Sequence, residues 1–327
     1  MKKNIAILRG GDSSEIAISI KSADVVYKHI DTNKHTPYLV HIEGTNWCVI
    51  KGQHSFPIDR HDFSFSTGKE KICFDGVFMV IHGTPGEDGV LQAYFDLLNI
   101  PYNCCGSFEA AITFNKAMCN ALLKQFNIPS AKAVILNKNV EYNLDEIQNE
   151  IGLPCFVKPN RAGSSFGISK VSKPNQWNNS IADAFKHDEQ VIIEAFIDGT
   201  EVTCGVIEKE GELISLPLTE ITTENDFFDY EAKYEGKAEE ITPARISDDN
   251  RDQVQSISKN IYRTLNLKGM VRMDYIIENN QAFLIEINTI PGLSEKSIIP
   301  QQARCYGMSL KELFSISIEN MFSYDKA

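Results

Sequence analysis

The chain has 327 residues, 43% of them hydrophobic and 23% charged. A single hydrophobic core stops growing near ~250–300 residues, so two or three packed units are expected, and the apolar share is too high for wholesale disorder. The 44 acidic residues against 32 basic ones give a net charge of −12. That argues against a protein that coats nucleic acid, but a local basic pocket for a small anion fits an acidic chain.

No apolar run reaches the ~18 residues that a membrane span requires. The N-terminal apolar stretch, residues 5–8, is too short for a signal peptide. A soluble, cytoplasmic protein is therefore expected. The eight cysteines form no CxxC pair and lie in apolar contexts, so they read as free buried thiols rather than zinc ligands or disulfides.

Residues 4–9 form an apolar strand that turns at Gly10-Gly11 into a helix with Ile16, Ile20, Ala23, Tyr27 and Ile30 on one stripe. Asp12 as the N-cap would put Glu15 near capping-box spacing, which makes capping the plain explanation for Glu15. A second buried strand, residues 76–81, runs into the loop His82-Gly83-Thr84-Pro85-Gly86-Glu87-Asp88-Gly89, and residues 90–98 read as a helix. His82 at this strand end reads equally as an ordinary polar terminus. Strand–loop–helix units of this kind imply a parallel sheet with ligand-binding loops at the strand C-termini.

Residues 108–126 read as one helix carrying Lys116, and residues 131–136 and 154–158 as strands. Lys158 ends a buried run and precedes a Gly/Ser loop, residues 159–167, before a strand at 168–171. This pattern predicts an antiparallel hairpin whose tip can close over something. The loop offers N–H groups and hydroxyls to phosphate oxygens, although GxxxxGK[ST] is absent. Strands follow at 191–196 and 201–207, then a polar stretch at 220–245 that contains Lys233. A helix is expected at 248–265 and another at 310–322.

Between those helices lie two strands, 270–277 and 282–288. In the first, Val271, Met273 and Tyr275 face one way, and Arg272 and Asp274 the other. In the second, Phe283, Ile285 and Ile287 are expected on the core face, with Ala282, Glu286 and Asn288 facing away. An odd loop centred on Asn280 places Asp274 opposite Glu286 and Arg272 opposite Asn288. A two-residue turn at Asn279-Asn280 places the two carboxylates on opposite faces. If they converge, these hard oxygen donors select Mg²⁺ or Mn²⁺; a solvated acidic sheet face is the equal alternative.

Taken in order, HGTPGEDG, VKPNRAGSSFG, FDYEAKY, RMD and EINTIPG resemble the D-alanine–D-alanine ligase family of the ATP-grasp superfamily. The resemblance runs from Gly10 to about Met308. It implies an α/β (α+β) three-domain ATP-grasp fold: a Rossmann-like parallel-sheet domain, 1–104, then subdomains 105–193 and 194–327 that clasp ATP between antiparallel sheets. It also implies an ATP-dependent enzyme that phosphorylates the carboxylate of one D-alanine. The amine of a second D-alanine then attacks, and the dipeptide enters peptidoglycan synthesis.

Residue by residue, the resemblance assigns Asp274, Glu286 and Asn288 to two Mg²⁺ ions. Lys116, Lys158 and Lys233 go to the ATP phosphates, and Glu194 and Glu201 to the adenine and ribose ends. Arg272 and the Gly292 N–H become oxyanion stabilisers. Glu15, near His82, takes the ammonium of the first D-alanine, Ser164 and Tyr234 tie the closing loop to Glu15, and Ser297 meets the second carboxylate. Asn115, Ala162, Ala195 and Ala17 depart from the family's usual Asp, Glu, Lys and Glu. Tyr234 favours a dipeptide over a D-lactate depsipeptide, and a homodimer is implied.

Overall fold

The computed structural model describes residues 2–163, 166–223 and 238–324. The parallel core expected at the N-terminus is there: β1 (Lys3–Gly10) lies between β2 (His35–Glu43) and β7 (Gly76–Met79), parallel to both. The sequence reading passed over the rest of this sheet. An antiparallel meander, β3 (Asn46–Lys51), β4 (His54–Asp59), β5 (Ser64–Ser66) and β6 (Lys71–Cys73), extends it beyond β2.

Strand β1 is buried on both faces, which is why it reads as a continuous apolar run. Ile5 and Ile7 pack with Ala23 and Val26 of α1 (Ile16–His29) and with Phe314 of α9 (Leu310–Tyr324). Ala6 and Leu8 pack on the other side with Leu91 and Phe95 of α2 (Val90–Leu98).

The buried stripe of α1 differs from the one expected. Ser19, Ser22, Ala23 and Val26 are buried, while Tyr27 is 45% exposed. The two serines are inside because both hydroxyls are bonded. Ser19 Oγ donates to the Val80 carbonyl at 2.7 Å and accepts from Gly10 N at 3.0 Å; Ser22 Oγ accepts from Leu293 N at 3.1 Å. Buried hydroxyls with partners cost little, and their small size lets the helix approach the sheet.

The single helix expected at 108–126 is two: α3 (Ser107–Phe114) and α4 (Lys116–Lys124). Asn115 between them is extended (φ −89°, ψ 93°) and caps α4 by accepting from Met118 N at 3.1 Å. Asparagine favours this N-cap geometry, so the break lies in the residue type itself.

A second sheet, all antiparallel, orders β10 (Ser169–Val171), β9 (Cys155–Pro159), β11 (Gln190–Ala195) and β8 (Ala133–Asn137). The expected hairpin is present, with Val157 opposite Ser169. Helices α5 (Leu144–Ile151) and α6 (Trp177–Ala184) cover one face through Ile147, Ile151, Trp177 and Ile181. The third sheet orders β15 (Ala238–Ile241), β14 (Thr219–Thr223), β12 (Thr200–Lys209), β16 (Val271–Glu278) and β17 (Gln281–Asn288), with β13 (Glu212–Ser215) also on β12. Helix α7 (Asp248–Thr264) covers its inner face, and α8 (Ile298–Tyr306) follows β17. The outer faces of the second and third sheets look at each other across a cleft.

All eight cysteines are free, as expected, but Cys73 and Cys305 are exposed rather than buried.

Candidate active site

The β16–β17 hairpin settles the register question by combining the two options. Its turn has two residues: Glu278 pairs with Gln281 and Tyr275 with Leu284. A β-bulge then shifts the ladder by one, so that Asp274 pairs with Glu286 and Arg272 with Asn288. The bulge also corrects the expected facing of β17. Ala282, Leu284 and Ile287 are buried in the core, whereas Phe283 and Ile285 are only half-buried. A bulge re-aims the side chains beyond it and here sends Glu286 and Asn288 to the cleft side.

Two basic side chains hold this acidic pair. Arg272 donates Nε and Nη2 to the two Asp274 carboxylate oxygens at 2.9 and 2.8 Å, and its Nη2 lies 3.9 Å from Glu286 Oε1. Lys116 Nζ is 3.4 Å from Glu286 Oε2 and donates to the Ala162 carbonyl at 2.8 Å. Asn288 Oδ1 accepts from Ile290 N at 3.1 Å.

On the facing sheet Lys158 and Glu194 form an ion pair at 2.5 Å, both side chains less than one-tenth exposed. Asn120 Nδ2, one turn along α4 from Lys116, reaches the other Glu194 oxygen at 3.3 Å. The sequence reading missed Asn120. Its signal was the i, i+4 spacing from Lys116 on one helix face. Between the sheets lies a cavity of about 490 Å³ lined by Phe156, Lys158, Glu194, Phe196, Glu201, Ile276, Asp274 and Glu286, among others. It is apolar at the Phe156/Phe196 end and charged at the Lys116/Glu286 end.

A second group gathers at the C-terminal edge of the first sheet. Glu15 immediately precedes α1, and its side chain makes no cap hydrogen bond. Ser13 Oγ accepts from Glu15 N at 3.2 Å, and Asp12 Oδ1 accepts from Gly44 N at 2.6 Å, so Asp12 does not cap the helix. Glu15 instead reaches toward the Gly/Ser loop: a Cβ at Gly163 would stand 2.4 Å from its Oε2.

His82 is buried, and its Nδ1 pairs with the Ile290 carbonyl at 2.9 Å; its Nε2 has no hydrogen-bond partner among the described residues. Burial holds the imidazole below its ordinary range, against the pull of Glu15 and the Ile290 carbonyl. The sequence reading also passed over Glu87. It is buried, accepts from Gly83 N at 2.7 Å, and is pushed up to about 8, chiefly by burial and then by Glu15.

Gly292 and Ser297 lie together beyond β17. A Cβ at Gly292 would stand 2.9 Å from Ser297 Oγ, which is 2.8 Å from Ser294 Oγ. Ser297 precedes α8, but its side chain does not cap it. Ser164, Lys233 and Tyr234 lie outside the described residues.

The family models described as "D-ala D-ala ligase N-terminus" and "D-ala D-ala ligase C-terminus" match residues 4–105 and 122–319. The chain belongs to the D-alanine–D-alanine ligase family. Relatives named D-alanine–D-alanine ligase include one from Flavobacterium johnsoniae, 51% identical over 97% of this chain and 98% of its own length. Another, from Bacteroides fragilis, is 47% identical over 98% of this chain and all of its own length. Among solved structures, the VanG D-Ala:D-Ser ligase of Enterococcus faecalis superposes with a TM-score of 0.89 at 32% identity, covering 98% of this chain and 100% of that one. D-alanyl-alanine synthetase A of Vibrio cholerae gives 0.87 at 26%, covering 98% and 99%. The ATP-grasp fold is that of the family, and its members are ATP-dependent ligases.

The family resemblance implies a divalent metal, and the residues of this chain fit one. Asp274, Glu286 and Asn288 present only oxygen donors, at adjacent register positions of two paired strands. Among the described residues no group of three or more His, Cys, Asp or Glu could hold a metal. Two carboxylates and an amide oxygen are the kind of donors a hard divalent cation takes, its shell being completed by phosphates and water.

Proposed function

We propose that this chain joins two D-alanine molecules into D-alanyl-D-alanine at the expense of ATP, through an acyl phosphate, for peptidoglycan synthesis. The observation that carries the reading is the cleft, where Asp274, Glu286 and Arg272 on one sheet face Lys158 and Glu194 on another, with Lys116 between them.

In this reading ATP lies in the cleft, with adenine toward Phe156 and Phe196 and Glu194 and Glu201 at the adenine and ribose ends. Lys116 and Lys158 meet the phosphates, and Lys233 approaches the γ-phosphate. Asp274, Glu286 and Asn288 would hold two Mg²⁺ ions, with Mn²⁺ as a substitute, and these would neutralise the triphosphate charge. A carboxylate oxygen of the first D-alanine attacks the γ-phosphorus, and ADP leaves. Glu15 holds that substrate's ammonium beside the buried His82, whose Nε2 has no hydrogen-bond partner among the described residues. The second amine attacks the acyl carbon, and phosphate leaves with the original carboxylate oxygen. Arg272 and the Gly292 N–H stabilise the oxyanion, and Ser297 meets the second carboxylate. Ser164 and Tyr234 tie the loop over Glu15 and keep water out.

The three units 1–104, 105–193 and 194–327 supply, in order, the D-alanine edge, one ATP wall and the other wall with the metal donors. The end of the N-terminal family match at residue 105 supports the first boundary. We place the enzyme in the cytoplasm, where ATP is supplied, and as a homodimer. No helix of the described residues is long and apolar enough to cross a membrane. No nucleic-acid partner is proposed.

Incubation with MgATP and an equimolar mixture of D-alanine, D-serine and D-lactate tests the acceptor. D-alanyl-D-alanine should dominate the products by mass spectrometry. A predominant D-serine or D-lactate product would refute this assignment.

A further inference from the structure

We propose that Asn160 is a positioning residue for nucleotide binding: its buried amide fixes the start of α4 to the end of β9 and thereby sets Lys116 relative to Lys158. The proposal rests on the reading that these two lysines meet the ATP phosphates.

Asn160 is fully buried, and every polar atom it has is used. Its backbone N–H donates to the Gln190 carbonyl at 3.0 Å, and its carbonyl accepts from Lys116 N at 3.3 Å. Its side-chain Oδ1 accepts from Ala117 N at 2.9 Å. Nδ2 donates to Asn115 Oδ1 at 2.8 Å and to Gln190 Oε1 at 3.0 Å. Asn115 Oδ1 accepts in turn from Met118 N. The first three backbone N–H groups of α4 are thus all taken, two by Asn160 and one by Asn115.

Helix N-termini leave such groups unpaired, and an ordinary cap supplies the partner from the residue just before the helix. Here most of the capping comes from another sheet element, 44 residues further along the chain. Two consequences follow. The α4 N-terminus has no open first-turn N–H to offer a phosphate, so an anion there meets the Lys116 ammonium instead. And residue 160, two positions after Lys158, bonds directly to the backbone of residue 116, so the relative placement of the two lysines runs through it. The Gly/Ser loop starts at the same point, where Lys116 Nζ holds the Ala162 carbonyl.

Removing the amide leaves Ala117 N, Asn115 and Gln190 short of a buried partner. A displacement of about 1 Å at a positioning group can cost about 100-fold in turnover. The test compares Asn160→Ala and Asn160→Ser with Asn143→Ala, in full-length protein well below the melting temperature. Asn143 caps α5, accepting from Asp145 N at 3.0 Å, and does not line the cleft. N160A and N143A should both lower Tm. Only N160A should raise the KM for ATP, by about tenfold or more and by more than the KM for D-alanine, with N160S intermediate. If N160A fails to fold, N160S carries the comparison.

Unchanged ATP kinetics in the Asn160 variants, or an equal loss in N143A, would overturn the proposal. Lys116→Ala separates the two ideas. A raised ATP KM in K116A with a normal one in N160A removes only the positioning role. A normal ATP KM in K116A removes the lysine reading and the positioning role with it.

Discussion

Asp274 lies directly opposite Glu286, although the turn joining their strands has two residues and would, in a regular ladder, set them on opposite faces. The bulge between Asp274 and Tyr275 makes the difference. Two like charges at adjacent register positions repel. Arg272 and Lys116 balance them. Asp274→Asn or Glu286→Gln should therefore cut kcat by about 100-fold or more through lost metal ligation while leaving Tm unchanged or slightly higher. A coupled ADP assay and a thermal melt read the two quantities, and near-normal turnover would remove the metal assignment.

Lys158 and Glu194 form a pair with almost no solvent access. Glu194→Ala would strand a buried ammonium, at a cost of ~3–5 kcal/mol. The exposed pair Lys34–Glu319 provides the contrast, since breaking it should cost ~1 kcal/mol or less. Urea denaturation of both variants measures the difference. Equal small losses would mean that water reaches Lys158.

Glu87 gives the fold a pH dependence with a definite sign. Its carboxyl is pushed up from an ordinary 4.5 to about 8 by burial and the nearby Glu15, so the folded state holds a proton that the unfolded state has lost. Its stabilising contribution is complete below about 4.5 and is lost as pH rises through about 8. His82 acts oppositely: its lowered value costs stability as pH falls below 6.5. Between pH 6.5 and 8, wild type should lose stability relative to Glu87→Gln. A pH-independent difference between the two would contradict the buried, protonated carboxyl.

Gly163 is a glycine for a spatial reason, since a Cβ there would fall 2.4 Å from Glu15 Oε2. Gly163→Ala should push the Gly/Ser loop off Glu15 and raise the KM for D-alanine by about tenfold, with a smaller effect on ATP. Unchanged D-alanine kinetics would place the working Glu15 elsewhere.

The strong local signals were legible in the sequence. The run at β1, the helix at 90–98 and the hairpin carrying Lys158 stand where period and turn residues put them. Three kinds of feature were not. The meander from β3 to β6 consists of strands of three to six residues, too short for an alternating pattern to register. The inner face of α1 is built on Ser19 and Ser22, whose burial depends on carbonyl and amide partners distant in sequence. The bulge at β17 adds a residue without any glycine to mark it, so a strict two-residue period misplaced Phe283 and Ile285. The site behaved likewise. The charged residues stood out by type, whereas Asn120, Asn160 and Glu87 matter through partners that only the fold brings near.

In the proposed reaction this chain activates a D-alanine carboxylate by phosphorylation. The direct test uses D-alanine labelled with ¹⁸O in its carboxylate, MgATP and mass analysis of the released phosphate. One carboxylate-derived ¹⁸O should appear in each phosphate, released in step with D-alanyl-D-alanine. Phosphate free of ¹⁸O, or no D-alanine-dependent release, would contradict it.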